Sequence, residues 1–226
     1  MFRSYGNWGL RVQAILCALA ALACLALAPS RAGAADRPVA IVALGDSLTA
    51  GLGLAAEDAF PAKLAKALAN KGIAATITNA GVSGDTTSGG LARLDWSVPP
   101  GTEAVILELG ANDALRGLDP VVPRAALESI LRRLKERGIP VLLCGMLSPP
   151  NLGADYARTF NAIFPQLAAA YDAVFYPFFL EGTVANRRLN QGDGIHPTAA
   201  GVDVIVRGIL PKVEELIARA KAKRGT

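Results

Sequence analysis

Histidine is nearly absent from this chain: 226 residues contain one, His196. Cysteine is scarce too, standing only at positions 17, 24 and 144, with no Cys-x-x-Cys pair. Zinc ribbons, thioredoxin-type redox sites and centres built on several imidazoles are therefore excluded, because each needs ligands or thiols this sequence does not hold. No metal and no cofactor is expected. A strong excess of one charge is also missing, with 23 Lys+Arg set against 19 Asp+Glu. Hydrophobic residues make up 52% of the chain, enough for a sizeable core and too many for wholesale disorder.

The small basic excess is concentrated at one end. Arg3, Arg11 and Arg31 lie in residues 1–34, which hold no acid. The two arginines at 3 and 11 precede an apolar run over 12–28, broken only by Gln13 and ended by Pro29-Ser30. Ala32-x-Ala34 follows. A basic start, an apolar centre and a small-x-small site together mark 1–34 as a secretory signal peptide. The apolar run is at the short limit for a hydrocarbon core of ~30 Å, so no stable membrane anchor is expected after cleavage. The arginines are too far apart for a twin-arginine signal, and Ala21 stands where a lipid-modified Cys24 would want Leu.

Cleavage after Ala34 leaves 20 basic residues against 19 acidic ones and a single cysteine. That near-neutral balance gives no basis for nucleic-acid binding. The expected location is the periplasm or the exterior, and the expected form is a monomer. Cys144, inside the run Val141-Leu142-Leu143-Cys144, reads as a small buried hydrophobe.

Residues 35–226 have the length of one domain. The run at 39–44 (VAIVAL) has no polar alternation, as in a strand buried on both faces. Further strands are predicted over 74–78, 104–109, 140–145 and 173–176. Helical spacing of apolar residues predicts helices over 61–70, 123–137, 154–171 and 198–221, the first two stopped at Gly72 and Gly138. Alternating strands and helices predict an α/β fold: a three-layer, flavodoxin-like parallel five-stranded sheet with helices on both faces. In such sheets ligands bind beyond the carboxyl ends of the strands, so the residues just after each strand carry the chemistry.

Four such segments stand out. Gly45-Asp46-Ser47-Leu48 follows the first strand, with Gly45 expected to let the chain turn sharply and Ser47 to open a helical turn with free N–H groups beside it. Asn79-Ala80-Gly81-Val82-Ser83-Gly84-Asp85 follows the second and Gly110-Ala111-Asn112-Asp113 the third. A glycine N–H and an asparagine amide are donors of the kind that stabilise a developing oxyanion, and Gly81 and Gly84 are rivals for the first role. Before the last helix, Asp193-Gly194-Ile195-His196-Pro197 places a carboxylate three residues ahead of the only imidazole. With Gly194 folding the loop back, Asp193 can accept from one ring nitrogen while the other faces Ser47.

These blocks, in this order, resemble the SGNH (GDSL) family of serine hydrolases. Gly84-Asp85-Thr86, Gly90-Leu91-Ala92-Arg93-Leu94, Glu108-Leu109-Gly110 and Leu115-Arg116-Gly117 are similar to its branch of bacterial periplasmic thioesterases, lysophospholipases and arylesterases. The resemblance implies Ser47 as nucleophile, His196 as general base and Asp193 as the residue orienting it. It implies an oxyanion hole from the Ser47 and Gly84 N–H groups and the Asn112 amide, and a small acyl ester, thioester or lysophospholipid as substrate. Ala111 departs from the glycine frequent in that branch and should narrow the rim beside Asn112. Residues 114–119, just after Asn112, are placed to form a rim over the site.

Four other readings fit the residues less well. An α/β-hydrolase elbow needs Gly-x-Ser-x-Gly, which does not occur. Gly51-Leu52-Gly53-Leu54-Ala55-Ala56 matches a loose dinucleotide pattern but begins too far beyond its strand, and the second strand ends in Asn79, not an acid. A sugar deacetylase of the same family would be expected to carry aromatic platforms, and aromatics are only 6% of the chain. The apolar segment 175–180 suits an acyl chain better. A non-catalytic secreted binding module would lack a member of the triad, and none is lacking.

Overall fold

The computed structural model describes residues 37–224; the signal segment assigned to 1–34 lies outside them. Five strands, β1 (Val39–Gly45), β2 (Ala75–Gly81), β3 (Ala104–Glu108), β4 (Val141–Cys144) and β5 (Val174–Tyr176), form one sheet. All neighbours are parallel, in the order β2-β1-β3-β4-β5. That is the flavodoxin-like order, and its reversal point lies between β1 and β3.

Burial explains the sequence pattern. Every residue of β3 and β4 is buried, and β1 nearly so, because helices cover both faces. β2 is an edge strand and alternates accordingly. Its pairing with β1 runs on to Gly45↔Gly81, so β2 ends three residues later than its apolar pattern suggests. The paired positions Gly81, Gly45, Glu108, Cys144 and Tyr176 form one row across the sheet, so all the strand ends open on one edge.

Eight helices are described: α1 (Ser47–Ala50), α2 (Phe60–Asn70), α3 (Thr87–Ala92), α4 (Leu94–Ser97), α5 (Ala111–Leu115), α6 (Val121–Glu136), α7 (Ala154–Tyr171) and α8 (Ala199–Lys223). The four long ones fall where the apolar spacing puts them. α2 and α8 pack together, and α6 packs against α3 and α7. Thr198 caps α8, its hydroxyl accepting from the Gly201 N–H at 3.3 Å. The short helices α3, α4 and α5 had no periodic signature, since each is about one turn and is held by contacts distant in sequence. Cys144 is buried, as expected, and burial raises its thiol pKa well above the ordinary value. No helix among the described residues is long and apolar enough to cross a membrane.

Candidate active site

Gly45 ends β1, and Asp46 starts the turn into α1. The glycine is needed here for close approach: a Cβ would lie 2.0 Å from Thr49 Oγ1 and 2.6 Å from Glu108 Oε2. Its φ is not positive, so a sharp left-handed turn is not the reason. Asp46 is the N-cap of α1, its Oδ1 accepting from the Leu48 N–H at 3.0 Å. Ser47 thereby occupies the first helical position, directly beyond the strand, with 8% of its surface exposed.

Ser47 Oγ lies 2.8 Å from His196 Nε2, across 149 residues of sequence. His196 Nδ1 lies 2.6 Å from Asp193 Oδ2. The other Asp193 oxygen accepts the N–H groups of Ile195 at 2.9 Å and His196 at 3.0 Å. Those backbone bonds, led by that from His196, and then the imidazole hold the Asp193 carboxyl down to about 2. Gly194, at φ +74°, allows the loop to fold back as the spacing suggested.

The loop is anchored by two residues that carry no sequence signature. Gln191 donates from Nε2 to the Leu52 carbonyl at 2.7 Å and to the Pro197 carbonyl at 2.9 Å, joining the histidine loop to the chain after α1. Asn190 donates from Nδ2 to the Thr183 carbonyl at 2.7 Å and the Asn186 carbonyl at 3.1 Å. Nothing local distinguishes them from ordinary loop amides.

On the opposite wall, α5 presents Asn112, whose Nδ2 donates to Asp46 Oδ2 at 3.1 Å. Gly84 stands in the loop after β2 with φ +85°. Arg116 Nη2 donates to the Gly84 carbonyl at 2.7 Å. From behind, the buried Arg93 donates to Asp85 Oδ2 at 2.6 Å and to the carbonyls of Ala80 and Gly45, each at 2.8 Å. One guanidinium thus ties the ends of β1 and β2 to the loop that carries Gly84. Gly81 belongs to β2 and has its N–H taken by Asn79 Oδ1 at 2.9 Å.

Ser47, Gly84, Asn112, Leu115, Leu180 and His196 line one cleft of about 240 Å³. An adjoining cavity of about 360 Å³ shares Ala111, Leu115, Leu180 and Ile195 with it and continues to Met146 and Phe178. Ala111 therefore sits on the wall common to both, beside Asn112. A larger cavity, of about 430 Å³, lies at the amino ends of β4 and β5, away from these groups. Residues 114–119 do border the cleft through Leu115, and Tyr156 donates to the Leu118 carbonyl at 2.8 Å.

A serine, an imidazole and a carboxylate in hydrogen-bonded series at the strand ends of a flavodoxin-like sheet define a hydrolase of the SGNH type. Residues 43–204 match the GDSL-like Lipase/Acylhydrolase family, and the chain belongs to it. It is 37% identical over 195 residues to Esterase TesA of Pseudomonas aeruginosa, covering 86% of this chain and 96% of that protein. It is 36% identical over 194 residues to Thioesterase 1/protease 1/lysophospholipase L1 of Escherichia coli K12, covering 85% of this chain and 90% of that protein. Among solved structures, the SGNH-hydrolase family esterase AlinE4 is 49% identical with a TM-score of 0.68, covering 79% of this chain and 96% of that one. The protein is an ester hydrolase of this family.

Proposed function

We propose that this chain is a secreted serine hydrolase that cleaves carboxylic esters and thioesters of apolar acids through an acyl-enzyme on Ser47. The observation that carries this reading is the series Ser47–His196–Asp193 at 2.8 and 2.6 Å, opening on an apolar cleft. Ser47 Oγ attacks the acyl carbon while its proton passes to His196 Nε2. The carbonyl electron pair moves to oxygen, which the Ser47 and Gly84 N–H groups and the Asn112 amide receive. Collapse expels the alcohol or thiol with the proton from His196. Water then attacks the acyl-enzyme by the same route and releases the acid. Asp193, held ionised, orients the imidazole and stabilises it when charged.

The engaged N–H of Gly81 supports Gly84 as the second backbone donor. The adjoining cavity supports an acyl chain running from Ser47 between Leu115 and Ile195 toward Met146 and Phe178. Phe178 is the one Phe, Tyr or Trp lining the two cavities, which speaks against an aromatic sugar platform. One chain supplies every group in the site, in keeping with a monomer. The basic-apolar-Ala-x-Ala segment at 1–34 supports export to the periplasm or beyond.

A panel of p-nitrophenyl esters from two to sixteen carbons, with a lysophospholipid and an acyl thioester, tests the reading in wild type and Ser47→Ala. Wild type should prefer chains long enough to reach the second cavity, and Ser47→Ala should lose at least ~10³-fold in kcat while keeping its melting temperature within a few degrees. Retained turnover in Ser47→Ala would sink the mechanism.

A further inference from the structure

Behind the serine, two carboxyl groups are completely buried, and the reaction as described uses neither: Asp46 and Glu108. Asp46 divides its oxygens between two donors. Oδ1 accepts from the Leu48 N–H at 3.0 Å, fixing the turn that carries Ser47, and Oδ2 accepts from Asn112 Nδ2 at 3.1 Å. Glu108 lies beneath, Oε2 accepting from Thr49 Oγ1 at 2.7 Å and from the Asp46 N–H at 3.4 Å. Its Oε1 is buried with no hydrogen-bond partner among the described residues.

A bare carboxylate oxygen in a dry site is expensive, so Glu108 is held neutral. Burial, then the neighbouring Asp46 charge, pushes its pKa well up. Asp46 is left as the ionised member of the pair at neutral pH. An amide nitrogen has two hydrogens. Donating one to Asp46 fixes the Asn112 side chain in one orientation and leaves the other hydrogen for the cleft.

We propose that Asp46 is a positioning residue, whose carboxylate aims the Asn112 amide and the Ser47 turn at the same reacting oxygen. The inference rests on the reading of Asn112 as an oxyanion donor. A neutral amide at position 46 has one acceptor for two donors, so either Leu48 or Asn112 would face an NH2 group. Protonation of Asp46 weakens the same bonds. The ionisable groups facing it are Glu108 from β3, Asp113 from α5 and His196 from the loop before α8. Burial outweighs the donors Leu48 and Asn112 and the imidazole charge, and raises Asp46 to about 6. The acid limb of kcat therefore includes the proton taken up by Asp46.

The test is kcat and KM on p-nitrophenyl butyrate from pH 4.5 to 8 for wild type, Asp46→Asn, Asn112→Ala and the double variant. Asp46→Asn should lower kcat by ~10–100-fold with KM within about threefold, since misaimed donors cost turnover more than binding. Its acid limb should be less steep than that of wild type, since the Asp46 proton has gone. In the Asn112→Ala background the same substitution should cost less than about threefold, because only the Leu48 N–H then needs an acceptor and the amide oxygen supplies it. Near-wild-type kcat in Asp46→Asn, additive losses, or an unchanged acid limb would each overturn the positioning role while leaving the oxyanion reading standing. Wild-type kcat in Asn112→Ala would overturn that reading and this inference together. Asp46→Ser keeps a cap for Leu48 but is too short for Asn112, and it carries the same test if Asp46→Asn does not fold.

Discussion

Asp193 gives its two oxygens different work: one holds the backbone of its own turn, the other the imidazole. A carboxylate so engaged stays ionised across the range in which an esterase operates, so the orientation of His196 does not vary with pH through Asp193. Asn112 is the complementary case, a neutral group whose worth depends on where it points. Asn112→Ala should lower kcat by about 10²–10³-fold with little change in KM, measured on a short p-nitrophenyl ester. A raised KM with kcat unchanged would place the amide in ground-state binding instead. That Ser47, His196, Asp193 and Asn112 meet at one edge of the sheet was legible in the sequence, because each stands in a short block at a strand end or just before the last helix. Asp46 was legible only as part of its motif. Glu108 had a signal that could have been read: a charged residue near the end of an otherwise apolar run, 104–109, has to be buried, neutral or paired.

The elements hold these residues through contacts that run between segments far apart in the chain. The four long helices and five strands follow from apolar spacing, and right-handed crossovers put the helices on the two faces of the sheet. The one-turn helices α3, α4 and α5 do not, because a single turn has no period to read and is fixed by its partners. Asp113 shows the point: it caps nothing in its own helix but accepts from both the N–H and the hydroxyl of Thr87 at 2.9 and 2.7 Å, pinning α5 to α3. Gln191 plays the same part for the histidine loop. Gln191→Ala should lower kcat/KM by roughly 10-fold by loosening His196 relative to Ser47, with the global melting temperature falling by only a few degrees. An unchanged kcat/KM would show that Asn190 and the Gln191 backbone suffice.

At the scale of the whole molecule, the buried and paired carboxyls pull stability in opposite directions with pH. Glu103 is held down to about 2, first by the Arg224 side chain at 2.7 Å, which ties the end of α8 to the segment before β3. Glu103 and Asp193 contribute stability that is present above their unfolded values and lost as pH falls toward about 2. Asp46, raised to about 6, contributes in the other sense: its protonated form is favoured by folding, and that stability is lost as pH rises from about 4 to about 6. Glu108 acts in the same direction as Asp46. Urea midpoints between pH 2.5 and 8 should therefore peak near pH 4–5, on the acid side of the activity optimum. A midpoint that climbs steadily to pH 7 would contradict the buried pair.

The proposed reaction turns on a covalent intermediate at one atom, Ser47 Oγ. Acid quenching during turnover of p-nitrophenyl butyrate, followed by peptide mass mapping, measures it directly. The expected result is a butyryl adduct on the peptide containing Ser47, lost in Ser47→Ala. Turnover without any adduct, or an adduct on another residue such as Ser83 that persists in Ser47→Ala, would contradict it.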